Sequence, residues 1–183
     1  LLIQEGKAQE ALALLTDALR IQQAKFAGPN DREAHTLAAL GSAERSLHHY
    51  DAALGYYQRA AEQYRALFPA RKDYRLASML YNEGTVYLAE ARLPQAESVL
   101  REAVQIDADR LPADDKRSLD TQILLAQVLL AEHRPAEANP LLNQVLKNAS
   151  AGGAALQAER DQASKALQSL ASAAALTTSG GHS

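Results

Sequence analysis

Ala53-Leu54-Gly55-Tyr56-Tyr57-Gln58-Arg59-Ala60 is one copy of a pattern that the chain repeats. Its skeleton is a small residue, a large one four positions later and a small one three positions after that. The same skeleton occurs as Ala11, Leu15 and Ala18, as Ala96, Leu100 and Ala103, and as Ala138, Leu142 and Val145. The leading alanines fall 42, 43 and 42 residues apart. Steps of four and three place all three groups on one face of a helix. A small residue is needed there because a neighbouring helix axis comes close.

Working outward, a second helical pattern precedes the last three copies. It reads Leu37, Leu40 and Gly41, then Leu80, Glu83, Gly84 and Tyr87, then Gln122, Leu125, Ala126 and Leu129. Gly41, Gly84 and Ala126 are 43 and 42 residues apart, so both helices obey one period. The connections Gly28-Pro29-Asn30-Asp31, Phe68-Pro69-Ala70 and Leu111-Pro112-Ala113-Asp114-Asp115 stop one helix and cap the next. Pro94 and Pro135 fall at helix starts, where the missing donor costs nothing. The spacing predicts helices over 7–27, 31–47, 50–67, 72–91, 93–110, 114–133 and 135–149. After Ala151-Gly152-Gly153 an eighth, over 154–175, breaks the period and carries one apolar stripe of Leu156, Ala163, Leu167 and Leu170. An array end needs such a helix to cover its last stacking face.

The expected division is a half repeat over 6–27, full repeats over 31–67, 72–110 and 114–149 (together an array over 1–149), a capping helix over 154–176 and a disordered tail over 177–183. The tail is small and polar and cannot offset the entropy of ordering. The truncated first repeat leads us to expect a piece of a larger protein.

Composition narrows the function. With 19 Lys and Arg against 22 Asp and Glu, the 183 residues have a net charge of −3. That leaves no basic excess for a phosphate backbone and argues against a nucleic-acid ligand. Apolar residues make up 47% but aromatics only 5%, so the apolar mass is Ala and Leu, the chemistry of helices. Cysteine is absent, which excludes disulfides and Cys-ligated zinc. No uncharged apolar stretch reaches the ~18 residues of a membrane helix.

The paired patterns resemble the tetratricopeptide repeat (TPR). The long period and the run Ala136-Glu137-Ala138-Asn139-Pro140-Leu141-Leu142 are similar to its kinesin-light-chain subtype. Glu44, Glu83 and Gln122 depart from the family pattern, standing where it has large apolar residues. The resemblance implies an all-α fold, a right-handed α-solenoid of antiparallel helix pairs with a C-terminal capping helix, whose concave wall comes from the first helix of each pair. Carried over residue by residue, that wall is His35, Ala38, Ala39, Ser42 and Arg45, then Ser78, Tyr81, Asn82, Thr85 and Leu88, then Asp120, Ile123, Leu124, Gln127 and Leu130. The expected binding residues are Asn82, Tyr81, Thr85, Arg45, Ser42, Gln127, His35 and Ser78. Asn82 falls where related repeats hydrogen-bond a ligand's main chain. The positions flanking it are Ala38, Ser42, Asp120 and Leu124, so the basic clamp with which chaperone-binding repeats hold a terminal carboxylate is missing.

Enzyme chemistry finds little footing. His48 and His49 are adjacent, so their rings diverge and cannot share an ion from one helix face. Gly152-Gly153 lacks the Lys-Ser/Thr of a phosphate loop, and no serine is placed beside a base. Asp114, Asp115 and Glu137 read as charges favourable to helix starts. Arg71, Lys72 and Arg75 read as a solvated basic corner. Most of the tyrosine cluster between residues 50 and 87 reads as core, with only Tyr81 facing the groove.

The expectation is therefore a non-enzymatic, cofactor-free module that binds a protein or peptide in its groove, within a larger bacterial signalling or regulatory protein. It is expected to be cytoplasmic, or extracytoplasmic if the parent spans a membrane. Two further readings stay open: a sensor of a small molecule or signalling peptide that controls an attached effector, and weak self-association through the incomplete N-terminal repeat.

Overall fold

The computed structural model describes residues 7–69 and 73–179. Its helices are α1 (Ala8–Lys25), α2 (Asp31–Ser46), α3 (Tyr50–Leu67), α4 (Tyr74–Ala89), α5 (Leu93–Arg110), α6 (Lys116–Ala131), α7 (Pro135–Ala151) and α8 (Gln157–Ser179), with a 3₁₀ turn at Gly153–Leu156 before α8. They pack as sequential antiparallel pairs and group into two compact units, Leu1–Ile106 and Asp107–Ser183, whose boundary falls inside α5.

In the first unit α2 packs between α1 and α3, and α3 packs on α4. The small residues of the sequence pattern sit where the helices touch. A Cβ on Gly41 would lie 2.7 Å from the ring of Tyr57, and one on Gly84 would lie 2.7 Å from Leu100. Tyr57 and Leu100 are both fully buried, as are Ala53, Ala60, Ala96 and Ala103. Alanine and glycine are therefore steric requirements at these places. In the second unit α6 packs on α7, and Ala126 and Leu142 at the equivalent positions are fully buried.

Each first helix begins in the same way. Asn30, Asp73 and Asp115 are the N-caps, accepting from the backbone N–H of Glu33 (2.7 Å), Arg75 (2.9 Å) and Arg117 (2.9 Å). Because Asp115 is the cap, α6 starts at Lys116 rather than at residue 114. Each first helix also ends alike. His48, Ala91 and His133 all adopt the left-handed conformation, with φ of 61°, 56° and 59°. The following N–H groups, of His49, Arg92 and Arg134, donate back to Glu44 O, Tyr87 O and Leu129 O at 2.8–2.9 Å. These are three copies of one Schellman cap, which satisfies carbonyls the helix end would otherwise orphan.

Helix α8 packs across α6 and α7 of the second unit. Glu159 on α8 is 1% exposed and its Oε1 accepts from Lys116 Nζ at 2.5 Å, while Lys116 also reaches Asp120 at 2.9 Å. The Lys116 ammonium holds the Glu159 carboxyl below its ordinary value. The predicted tail needs correction: α8 continues to Ser179, so 177–179 are helical. Ala173, Ala174 and Ala175 precede them, and helix propagates cheaply from such a run. Residues 180–183 lie outside the described residues.

Three expected outcomes test this architecture by thermal or urea unfolding. Propensity favours alanine over glycine by about 1 kcal/mol within any helix. Gly55→Ala, where the added Cβ meets nothing within 4 Å, should gain that amount. Gly41→Ala should instead lose about 1–2 kcal/mol net through overpacking on Tyr57. Ala91→Gly should relieve its left-handed backbone, for a net gain of about 0.5–1 kcal/mol. Separately, Lys116→Ala should cost about 1–3 kcal/mol by leaving the Glu159 carboxylate buried without its cation.

Candidate protein-binding face

Helices α2 and α4 both pack on α3, and their N-terminal ends are tied together by Arg75 Nη1 on Asp31 Oδ1 at 2.6 Å. Leu76, Ala77, Leu80 and Gly84 turn inward from α4, and Leu37, Leu40 and Gly41 from α2. Their periodicity leaves Ser78, Tyr81, Asn82 and Thr85 half-buried on α4, with Ser42 half-buried and His35 and Arg45 exposed on α2. Seven of the eight expected binding residues thus belong to the first unit. Gln127, exposed on α6, belongs to the second.

These residues differ in what their polar groups are free to do. The Ser42, Ser78 and Thr85 hydroxyls donate to carbonyls of their own helix, Ala38 O (3.0 Å), Tyr74 O (3.2 Å) and Asn82 O (2.7 Å). Ser42 also accepts from the Tyr57 hydroxyl at 3.1 Å. The His35 ring lies edge-on to Tyr64, 6.1 Å between centroids, and its Nδ1 sits 2.8 Å from Asp31 O. By contrast, the Asn82 amide and the Arg45 guanidinium make no hydrogen bond or ion pair among the described residues, although Asn82 is half-buried. A primary amide carries two donors and an acceptor, and a guanidinium carries five donors. They are the unspent hydrogen-bonding capacity of this face. Two further wall positions differ from expectation: Ile123 and Leu124 are 3% and 8% exposed. The apolar run Ile123-Leu124-Leu125 leaves α6 without a polar side there.

The basic corner also needs correction. Arg71 and Lys72 lie outside the described residues, but Arg75 is an organising centre rather than a solvated charge. Its guanidinium lies 4.8 Å from the Phe68 ring centroid, 5.3 Å from that of Tyr64 and 6.0 Å from that of Tyr74. It also pairs with Asp73 at 2.8 Å. Burial, with Asp31 nearby, pushes the Tyr64 phenol up to about 12. Of the clustered aromatics, Tyr57, Tyr64 and Tyr87 are buried, and Tyr74 is exposed.

Glu83, one of the departures from the family pattern, is 5% exposed. Desolvation pushes its carboxyl up to about 7, against the pull of Arg65 and with the push of Glu102, whose own ion pair measures 3.2 Å. Asp107, 2% exposed, is raised to about 6 by burial although Thr121 donates to it at 2.9 Å. The other two departures are half-buried: Glu44 bonds His49 Nδ1 at 2.8 Å, and Gln122 bonds Ser118 at 3.2 Å.

A cavity of about 410 Å³ lies at the turn between α2 and α3, lined by His48, His49, Tyr50, Asp51, Ala52 and Glu90. It includes none of the expected binding residues. His48 Nδ1 lies 3.0 Å from the Tyr50 hydroxyl. Among the described residues no three His, Asp or Glu side chains converge as metal ligands.

The family model described as tetratricopeptide repeat matches residues 1–66 and 75–151. Among solved structures, the fold is similar to the nearly identical TPR-like repeats of a Podosopora anserina protein named as a kinesin light chain. A variant of that protein is 22% identical with a TM-score of 0.76, over 97% of this chain and 87% of that one. A second structure of it is 20% identical with a TM-score of 0.72, over 100% and 92%. BtubC (BKLC) from P. vanneervenii is 20% identical with a TM-score of 0.76, over 84% of this chain and 61% of that one. At these identities the likeness carries the fold alone. No curated protein matches the sequence significantly.

The raised carboxyls fix the sign of a pH dependence. Between the ordinary value of 4.5 and about 7, folded Glu83 keeps a proton that the unfolded chain has lost, and Asp107 does so between 3.8 and about 6. Stability contributed by these groups therefore falls as pH rises through those windows. The melting temperature should drop between pH 5 and pH 8. Glu83→Leu should raise it at pH 8 and remove most of the drop, and a parent that melts higher at pH 8 would contradict the assignment.

Proposed function

The chain belongs to the tetratricopeptide-repeat family, whose members generally serve as protein–protein interaction modules, and from that premise we propose that it binds an extended peptide segment of a partner along the free face of α2 and α4. The observation that carries this reading is the half-buried, unpartnered amide of Asn82. The amide atoms themselves stay open to solvent, so a ligand can reach them without displacing an internal bond. A peptide backbone, which offers an acceptor and a donor in every unit, would satisfy the amide in both directions. Around Asn82 the face is built of short side chains, Ala38, Ala39, Ser42, Ser78 and Thr85, which let a main chain approach closely. Arg45, exposed and unpaired at the far end of α2, supplies a cation for a carboxylate on the same ligand.

A peptide-display library selected on the chain would provide ligands for this test. Asn82→Ala should weaken the selected peptides by about 5- to 30-fold, the equivalent of one lost backbone-directed bond, while the melting temperature stays near the parent's. Glu62→Ala, an exposed change on α3, should leave binding unaltered. Equal loss in both variants, or undiminished binding by Asn82→Ala, would remove the face from consideration.

A further inference from the structure

At the start of the candidate face, three helices together fix the ring of His35. Its Nδ1 lies 2.8 Å from the backbone carbonyl oxygen of Asp31, one turn earlier on α2. A carbonyl oxygen can only accept, so the proton of the neutral ring sits on Nδ1 and Nε2 is left as a bare lone pair. The Tyr64 hydroxyl, from α3, lies 3.3 Å from the same Nδ1, and the Tyr64 ring stands edge-on to the imidazole at 86°. Arg75, from α4, holds both neighbours: it bonds Asp31 Oδ1 at 2.6 Å and lies 5.3 Å from the centre of the Tyr64 ring. The charged and titratable groups around the imidazole are therefore Asp31 on its own helix, whose Oδ1 comes within 3.6 Å of Nδ1, Tyr64 on α3 and Arg75 on α4. Each direct polar contact of the ring uses Nδ1. Nε2 makes no hydrogen bond among the described residues, and the side chain is 60% exposed.

The other open groups of the face differ in sense, since Arg45 only donates and the Asn82 amide does both. Along α2 the face therefore runs from an acceptor near the helix start to a donor near its end. We propose that His35 determines specificity on this face: its Nε2 accepts a hydrogen bond from an N–H or O–H of the bound peptide, so that a proton and the peptide compete for one lone pair. The inference rests on the peptide-binding reading of α2 and α4, and adds that the ligand carries a donor toward the start of α2 and a carboxylate toward its end. A proton on Nε2 turns the ring into a cation that points a donor at a donor. Binding through His35 is therefore strongest where the imidazole is neutral, and it weakens as pH falls. The stability contributed by Glu83 and Asp107 changes the other way, falling as pH rises, so the two effects separate by sign.

Nitrogen NMR of the imidazoles in the free chain at pH 8, with His35 assigned by its loss in His35→Gln, should show Nδ1 protonated and Nε2 bare. A proton on Nε2 instead would overturn the assignment with no ligand present. Affinities of histidine-free peptides selected on the chain, measured at pH 8 and pH 5, supply the second arm, with unchanged melting curves showing that each variant is folded. The parent should bind roughly 3- to 10-fold more weakly at pH 5, the equivalent of one hydrogen bond. His35→Ala should lose about the same factor at pH 8 and little more on going to pH 5. His35→Gln, whose side-chain oxygen accepts without titrating, should stay within roughly threefold of the parent at pH 8 and show no pH step. Because that variant keeps Glu83, it also reports anything the buried carboxyl adds. Binding that Asn82→Ala weakens but that ignores pH and both His35 changes would overturn the role of His35 alone, as would a pH step that persists in His35→Gln. Binding weakened by neither Asn82→Ala nor His35→Ala would overturn the face and this inference together.

Discussion

The close approach of a first helix to the second helix of its own pair governs the rest of this structure. Gly41 lies against Tyr57, and Gly84 lies against Leu100 with no room for a Cβ. Such contacts fix the distance and rotation of each pair, because a packed interior transmits strain rather than absorbing it. Rotation in turn decides which residues of α2 and α4 turn inward and which remain as a free face. The candidate face is thus a consequence of where a small residue is compulsory.

The turns complete that constraint. A Schellman cap with a left-handed residue ends each first helix at His48, Ala91 and His133, and an Asn or Asp cap begins each one. None of the left-handed residues is glycine, so each turn stores strain that the packed pair must hold in place. The same polar economy extends to the side chains. Serine and threonine hydroxyls on the free face return to carbonyls of their own helix, which leaves the amide of Asn82 and the guanidinium of Arg45 as groups with capacity to spare.

Much of the fold was legible in the sequence because its governing contact is local and steric. A small residue four positions from a large one, recurring at 42 or 43 residues, has one economical explanation. The turns were less legible, since His48, Ala91 and His133 share no residue type and only the backbone reveals their common conformation. Arg75 read as a solvated charge because its partners come from three segments: Tyr64 and Phe68 at the end of α3, and Asp31 at the start of α2, besides its neighbours Asp73 and Tyr74. On the candidate face the positions could be read from helical period, but which polar heads were already occupied could not, since Ser42, Ser78 and Thr85 look as available as Asn82 until their bonds are seen. Glu83 was visible as a polar intrusion, while its raised carboxyl depends on burial beside Arg65 and Glu102.

The most direct measurement is an NMR titration of the chain with a bound peptide, following the side-chain NH₂ resonances of Asn82 together with the backbone amides of the first unit. The account predicts that the Asn82 resonances shift first and furthest, with the remaining changes confined to α2 and α4. Shifts concentrated on the outer side of α3 or at the turn cavity around His48 and His49, with Asn82 unmoved, would contradict it.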